Sequence, residues 1–302
     1  MKLDDFSLEI LVNGKPLQEF TEKISNNNVM TTGPSYLRKG ISAPEEPSLL
    51  THYAAVQEFG TRYTIKFSVP PSCCSTESPI KVFLYVDGEF DYSYTDLNPT
   101  RLNETRTCFW SKNRDKIYYF KFDPTIWSEE KDGINNISIQ KRCLFGGPGA
   151  ISAYFYRAER VPWNVSPPPD YDVESAVIPE NNDTRAIKLT TQYEVRRVPN
   201  PSITRFSTYL QEKGYPLAVL HLHYRAAAWL RARGHDVPFP RPTNQLTMIS
   251  NNVNLEHNGI KRERIEIKEE SDDEVVIFSN IKRPKREQNH EVIVISSDED
   301  ED

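Results

Sequence analysis

Residues 81–94 read KVFLYVDGEFDYSY, and this stretch carries the pattern that decides the fold class. Two runs rich in β-branched and aromatic residues flank the pair Asp87-Gly88. Such a pair supplies the positive φ angles that a two-residue turn between antiparallel strands requires. The stretch therefore predicts a β-hairpin that turns at Asp87-Gly88.

The same pattern extends over the first 160 residues. FSLEILVNGKPLQEF alternates apolar and polar residues around a second turn pair, Asn13-Gly14. Many short strands without a helical period indicate an antiparallel β-sandwich-like domain. Further strands are predicted at RYTIKFSVP (62–70), CFWSKNRDKIYYFKFDP (108–124) and GAISAYFYRAERV (149–161).

Helical character is predicted only near the end of this domain, as one or two short helices. In SITRFSTYLQEKG, Ile203, Phe206 and Leu210 recur at helical spacing. Ser202 can cap the start of this helix, and Gly214 can end it.

The segments around that helix have their own patterns. Residues 164–185 are rich in proline and acidic residues, which predicts a long surface loop. TTQYEVRRV (190–198) and PLAVLHLHYR (216–225) are predicted strands, and RAAAWLRARG (225–234) is a predicted compact helix.

Composition changes after residue 245. Residues 251–302 hold 8 Lys/Arg against 15 Asp/Glu, a net charge of −7, whereas the rest of the chain carries +1. Phe278 is the only aromatic residue in that segment, so it has too little apolar surface to offset its chain entropy. We expect a β-rich domain over residues 1–245 and a disordered acidic tail over residues 246–302. A near-neutral domain has no general attraction for polyanions, which disfavours nucleic acid as a partner.

The chain shows no pattern of export or membrane insertion. No apolar run of signal-peptide length follows the first residues, and no stretch approaches the ~20 apolar residues of a membrane span. Four sequons, at Asn103, Asn136, Asn164 and Asn182, are interpreted as chance matches in an Asn-rich chain. Reduced thiols are expected at the four cysteines, which form no C-x-x-C pair: Cys73, Cys74, Cys108 and Cys143.

Residues 1 to about 240 resemble an uncharacterised fungal family of proteins, domain of unknown function 7918. The resemblance is carried by NGKPLQEF, YTIKFSV, LYVDGEF, GAISAYFYRAER and above all PLAVLHLHYRAAAWLRARGHDVP. In that last block an apolar strand, Leu220–Tyr224, leads through Arg225 into a short helix with Leu230, then Gly234 and Pro238. The resemblance implies a β-rich fold and brings no known catalytic residues.

Candidate sites in the domain all have a structural interpretation. His221 and His223 share one face of a strand, as zinc ligands can, but a third ligand at suitable spacing is missing, so we expect a surface or edge pair. Tyr224-Arg225 is expected to be a packed aromatic residue beside a capping cation. Gly146–Gly149 form a flexible turn in which Pro148 lacks the amide that a phosphate cradle would use. No nucleophile elbow is present. We therefore expect no enzyme, no cofactor and no metal site.

The tail contains two hydrophobic strips flanked by acidic residues, and these resemble SUMO-interacting motifs. Such motifs add as an edge strand to the SUMO sheet, where aliphatic side chains fill a groove and acids meet basic residues. The acids follow the C-terminal strip but precede the other, which should therefore dock in the reverse direction. The predicted SUMO-binding residues are Val275, Val276, Ile277 and Phe278, and Val292, Ile293, Val294 and Ile295.

Other short motifs surround the strips. Ile267-Lys268-Glu269-Glu270 matches the hydrophobic–Lys–x–Glu pattern of a SUMO acceptor, and Lys261 lies in a second match. The pattern docks the lysine amine in line with the thioester of the SUMO conjugating enzyme. Ser271, Ser296 and Ser297 are predicted phosphorylation sites because acids surround them. The cluster predicted to bind a nuclear import receptor is Lys282, Arg283, Lys285 and Arg286.

The sequence predicts a non-enzymatic nuclear scaffold protein that binds SUMO or SUMO-modified proteins, in chromatin or transcription complexes. An alternative is an extracellular ligand- or carbohydrate-binding β-sandwich, supported by the sequons and aromatic strands. Direct DNA binding through the basic tail segments is a third interpretation, and it predicts strong salt dependence.

Overall fold

The computed structural model describes residues 1–24, 34–39, 43–111, 115–128, 142–161, 177–180, 186–198 and 209–239. These residues form a mainly β fold with one short helix near residue 227, as the sequence predicts. The predicted hairpins turn where expected, since Asn13 and Asp87 have φ of 52° and 54°, and Gly14 and Gly88 have φ of 74° and 75°.

The first sheet is antiparallel and contains the N-terminal hairpin. Its strands are β1 (Lys2–Leu3), β2 (Phe6–Val12), β3 (Lys15–Pro16), β8 (Thr64–Ser68) and β11 (Asn103–Arg106). Their order is β1-β2-β8-β11, and β3 also pairs with β2 across the Asn13-Gly14 turn.

The second sheet is mixed and is the largest of the described sheets. Its strands are β4 (Glu19–Lys23), β5 (Tyr36–Leu37), β6 (Glu46–Pro47), β7 (Leu50–Val56), β9 (Ile80–Val86), β10 (Glu89–Leu97), β15 (Ala150–Val161) and β18 (Tyr209–Ala226). Their order is β10-β9-β15-β18-β5-β6, with β7 paired to β18 and β4 paired to β7. The β7–β18 pair is parallel.

Two smaller sheets complete the β structure of the described residues. Their strands are β12 (Cys108–Trp110), β13 (Lys116–Pro124), β14 (Ile126–Ser128), β16 (Val177–Pro179) and β17 (Leu189–Arg197). The third sheet has the order β12-β13-β17, and the fourth consists of the parallel pair β14-β16. The structure also contains the α-helix Ala227–Ala232 and a 3₁₀ turn at Pro71–Cys73. Among the described residues, no helix has both the length and the low polarity that a membrane-spanning segment requires.

One hydrophobic core joins the first three sheets. In β2 and β8, alternate residues are buried in it, which is the period-2 pattern of half-buried strands. The helix packs on the opposite face of the second sheet, where Leu230 contacts a small cluster with Tyr53 and Ala55 of β7. Buried members of the main core include Leu8, Ile10, Ile65, Phe67, Val82, Leu84, Phe120, Phe122, Phe155, Leu220 and Leu222.

Two predictions of local structure were wrong. The predicted helix that ends at Gly214 is a strand from Tyr209 onward, because residues 209–213 pair with Arg157–Val161 of β15. Its remaining residues, 202–208, lie outside the described residues. Gly214 does not end a helix. Gly214 has φ of +70° and lies where the register between β15 and β18 shifts, two residues before Pro216. The predicted long loop 164–185 includes strand β16, and of its other residues only Glu180 is described.

Candidate functional site

The carboxylate of Asp87 is the centre of a buried polar cluster. Asp87 is 3% exposed, although it occupies a hairpin turn. Its Oδ1 accepts hydrogen bonds from the Gly149 amide (2.7 Å) and the Tyr224 hydroxyl (2.5 Å), and its Oδ2 accepts one from the Thr191 amide (2.6 Å). Burial raises the pKa of Asp87, and these three donors oppose that rise. The carboxylate thus links the hairpin turn to three other segments of the fold.

Hydroxyl groups extend this cluster across the core. The Thr191 hydroxyl lies 2.7 Å from the Tyr63 hydroxyl and 3.0 Å from that of Tyr224. Burial raises the pKa of both tyrosines well above the ordinary value, so both phenols are neutral at any physiological pH. The hydrogen bonds of the cluster link strands of different sheets. Its side chains are shielded from solvent, so the cluster offers no accessible acid or base.

Two glycines allow close approach to this region. Gly149 has φ of +71°, and a Cβ there would lie 2.5 Å from Nη1 of Arg225. Gly146 has φ of +98°, and a Cβ there would lie 2.0 Å from the Ser152 hydroxyl. Residues 146–149 form a turn, as the sequence predicts, but the turn is buried and packs within the domain.

His221 and His223 lie on the outer face of the second sheet. The prediction of a surface or edge pair is wrong, because both are in a strand with neighbours on each side and are at most 6% exposed. The His221 Nδ1 atom lies 2.7 Å from the Ser152 hydroxyl. Burial lowers the pKa of His221 to about 4 and the pKa of His223 well below its ordinary value.

Ser152 and His221 are residue types that can act as a nucleophile and its base, but a substrate cannot reach either side chain. Ser152 is fully buried, and no described carboxylate hydrogen-bonds to His221. Within the described ranges, no three His, Cys, Asp or Glu side chains are close enough to hold a metal ion. The geometry therefore supports a structural contact between β15 and β18.

A neutral, buried His221 makes stability depend on pH. Its folded pKa is lower than its unfolded pKa, so its contribution is complete above pH 6.5 and is lost as pH falls toward 4. We expect His221 alone to reduce the free energy of unfolding by about 1 kcal/mol between pH 7.5 and 5.5. Urea unfolding at both pH values should show a smaller change for His221→Asn than for the wild type. An equal change in both proteins would contradict this assignment.

Arg225 follows Tyr224 at the end of β18. Tyr224 is packed in the core as predicted, 5.1 Å from the ring of Phe122. Arg225 was predicted to cap the helix, but its Nη1 donates to the carbonyls of Gly149 (2.7 Å) and Tyr224 (2.8 Å) instead. Burial lowers the pKa of the Arg225 guanidinium, which remains within 5.9 Å of two aromatic rings.

The C-terminal end of the helix is anchored by an ion cluster on β4. Glu22 accepts two hydrogen bonds from Arg233 (2.9 and 2.8 Å) and contacts His235 at 2.8 Å. Burial would raise the pKa of Glu22, but these two partners lower it below the ordinary value. Arg233 also stacks on Trp229, with 4.8 Å from the guanidinium carbon to the ring centre. The cluster fixes the helix against the sheet.

The other predicted features of the domain are dispersed. The four cysteines are free and partly buried, and burial raises the pKa of Cys74 to about 11. Asn103 and Thr105 of the first sequon are exposed on β11. The other three sequons, at residues 136, 164 and 182, lie outside the described residues.

All predicted sites of the tail lie outside the described residues, which end at residue 239. They remain predictions from the sequence. They are the two strips 275–278 and 292–295, the acceptors Lys261 and Lys268, the serines 271, 296 and 297, and the basic cluster 282–286.

The sequence interpretation missed the role of Asp87. The pair Asp87-Gly88 was identified only as a turn, because nothing local shows that a turn will be buried. Gly149 carried a partial indication, since a glycine-rich segment before a strand often marks positive φ or a close approach. No feature of the sequence around Thr191 indicated its role in this cluster.

The domain matches a known family. A family model described as a domain of unknown function (DUF7918) matches residues 5–235. No curated protein and no solved structure matches the chain. The family match extends from β2 through the helix Ala227–Ala232 and covers well over half of the chain. The chain therefore belongs to the DUF7918 family.

Proposed function

We propose that this protein is a non-enzymatic nuclear interaction protein that binds SUMO or SUMO-modified proteins and is itself SUMO-modified. The observation that carries the proposal is the sequence of the tail. Two hydrophobic strips with acidic neighbours, at 275–278 and 292–295, lie within 30 residues of an acceptor pattern at Lys268. Each motif is short, but their combination in one segment is specific.

The physical basis is pairing of a strip with the edge of the SUMO sheet. Backbone hydrogen bonds supply affinity, and the hydrophobic side chains of the strip fill the groove. Burying four such side chains at about 1.5 kcal/mol each can offset the ordering of a short segment and gives micromolar-class binding. Two linked strips raise the effective concentration for a second SUMO unit, so chains of SUMO should bind more tightly than monomers.

The remaining motifs fit the same role. The cluster at Lys282, Arg283, Lys285 and Arg286 would direct the protein to the nucleus through an import receptor. Phosphate on Ser296 or Ser297 would add negative charge beside the C-terminal strip, where basic residues of SUMO meet it. Phosphate on Ser271 would strengthen docking of the conjugating enzyme near Lys268. A scaffold in chromatin or transcription complexes would use these properties.

The C-terminal strip is tested by replacing Ile293 and Ile295 with alanine. We expect about tenfold weaker retention on SUMO beads, because the two side chains lose apolar burial worth at least ~1.4 kcal/mol. A matched control replaces Ile265 and Ile281, which belong to neither strip, and should bind as the wild type does. Equal retention of the Ile293/Ile295 variant and the control would remove the C-terminal strip from the proposal.

The acceptor site is tested by Lys268→Arg, which keeps the charge but removes the reactive amine. With the SUMO conjugating machinery, the main SUMO-shifted band of the full chain should disappear. Lys261→Arg should remove at most a weaker second band, and Lys282→Arg, which lies in no acceptor pattern, should change nothing. A main band that persists in Lys268→Arg would refute this acceptor.

A further inference from the structure

One edge of strand β17 pairs with no strand of the described residues. In the third sheet, β17 lies at the end of the order β12-β13-β17. Its residues 194–197 are all exposed, and Val195 is 51% exposed. Neighbouring residues of a strand point to opposite faces, so this part of β17 is uncovered on both faces of the sheet. By contrast, the edge strand β11 alternates between exposed and partly buried residues.

The hydrogen bonds near β17 show which of its backbone groups face the open edge. The Val198 amide donates to the carbonyl of Asp115, which directly precedes β13 (2.8 Å). The Thr191 amide donates instead to a buried carboxylate outside β13. The register between β13 and β17 contains no shift, so the backbone groups of β17 alternate regularly between its two sides. Val195 and Arg197 therefore each present an N–H and a C=O group to the open edge.

Two arginines make this edge positively charged. Arg196 and Arg197 are exposed, and neither forms an ion pair with a carboxylate of the residues that the structure describes. The neighbouring Glu194 already accepts hydrogen bonds from Nε and Nη2 of Arg62. Asp115 lies near Arg197, but its Oδ1 accepts a serine hydroxyl. The open edge thus carries two charges that an anionic partner could neutralise.

The alternation of side chains determines what a partner strand should contain. Arg196 and Arg197 point to opposite faces of the sheet, so two consecutive acids in an added strand would each meet one arginine. Val195 lies on the face of Arg197, opposite Tyr118 of β13, and an aliphatic residue of the partner would pack beside it. A second copy of β17 would bring two more arginines, and their repulsion would oppose self-pairing.

From this geometry we propose that β17 accepts an extended acidic segment of a partner protein as a further strand of the third sheet. Hydrogen bonds to the backbone of Val195 and Arg197 supply affinity. The two arginines select segments with consecutive acids and oppose pairing with basic strands, as charges on edge strands commonly do. This interaction belongs to the β-rich domain and does not depend on SUMO binding by the tail.

The test is a titration of the full-length protein into a fluorescein-labelled peptide, followed by fluorescence anisotropy. The peptide alternates threonine and valine and has two adjacent glutamates at its centre. We expect saturable binding that weakens as salt rises, because the ion pairs are exposed. A peptide with lysines in place of the glutamates should bind about tenfold more weakly.

A third peptide separates strand addition from simple charge attraction. It keeps both glutamates but has proline on each side of them, and proline has no N–H for the ladder. This peptide should bind about tenfold more weakly than the first, because it loses backbone hydrogen bonds. Equal affinity of the two glutamate peptides would refute strand addition.

The double variant Arg196→Glu/Arg197→Glu should reverse the preference for charge. It should bind the glutamate peptide about tenfold more weakly than the wild type does, and the lysine peptide more tightly. Its matched control is Lys2→Glu/Lys15→Glu, which makes the same change in net charge at exposed positions of the first sheet and should bind as the wild type does. An unchanged preference in the arginine variant, or an equal loss in the control, would contradict the role of the two arginines.

Val195→Pro tests the backbone of the open edge. It removes the N–H that faces this edge and leaves the ladder with β13 intact, so the variant should fold and lose peptide binding. In hydrogen exchange of the wild type, the amides of Val195 and Arg197 should exchange fast without the peptide and slowly with it. Slow exchange without the peptide would mean that the edge is already covered, and the proposal would fail. A concentration-dependent dimer that Val195→Pro abolishes would assign the edge to a second copy instead.

Discussion

Gly88→Ala should lower the free energy of unfolding by about 4 kcal/mol. A side chain at φ of +75° costs about 1–2 kcal/mol for an L-residue. In addition, a Cβ at this position would lie 2.4 Å from the carbonyl oxygen and 2.6 Å from the Cα of Arg142. Backbone cannot move aside as a flexible side chain can, and overpacking adds about 1–3 kcal/mol or more. Urea unfolding followed by circular dichroism measures the difference.

Gly14→Ala is the matched control for this substitution. Gly14 occupies the same position in the Asn13-Gly14 turn, with φ of +74°, and a Cβ there would meet no atom within 4 Å beyond its own chain neighbours. It should therefore show only the conformational cost, about 1–2 kcal/mol. If the two variants lost equal stability, the close packing of Arg142 against the Asp87-Gly88 turn would be contradicted.

Asp87→Asn should cost about 3 kcal/mol, although it changes one atom. The amide nitrogen of asparagine cannot accept a hydrogen bond, so at least one buried donor loses its acceptor. In either orientation of the amide, that donor is the backbone N–H of Thr191 or of Gly149, and an unpaired buried donor costs about 1–3 kcal/mol. Loss of the charge weakens the remaining hydrogen bonds as well. Equilibrium unfolding in urea at pH 7 measures this loss.

Asp4→Asn separates this effect from backbone strain. Asp4 also has a positive φ, 48°, but it is exposed to solvent. Asparagine tolerates this conformation as well as aspartate does, so Asp4→Asn should change stability by less than about 0.5 kcal/mol. A similar loss in both variants would mean that the buried hydrogen bonds of Asp87 contribute little.

The sequence predicts the strands of this fold better than its helices. The two turn pairs place both hairpins correctly, because an Asn-Gly or Asp-Gly turn depends on residues that are adjacent in the chain. The error at residues 209–214 has a nonlocal cause. Leu210 and Gly214 fit a helical period, but β15 offers residues 209–213 a continuous row of backbone partners. Pairing with a distant strand overrides a weak local pattern.

The polar cluster could not be predicted for the same reason. Asp87, Gly149, Thr191 and Tyr224 are far apart in sequence, and an acidic residue in a turn is normally exposed. The histidine pair shows the same limit, since its spacing identifies a shared face but not that neighbouring strands bury this face. The parallel pairing of β7 with β18 also has no local pattern that would have indicated it.

The position of β18 has a consequence for protein synthesis. This strand fills the centre of its sheet, between β15 on one side and β5 and β7 on the other. It begins at Tyr209, more than 150 residues after β7 ends at Val56. At about 5–20 residues per second, the nascent chain carries that strand edge without its partner for roughly 10 to 30 s. Unpaired edges promote aggregation, so chaperone capture on the ribosome should concentrate in this interval.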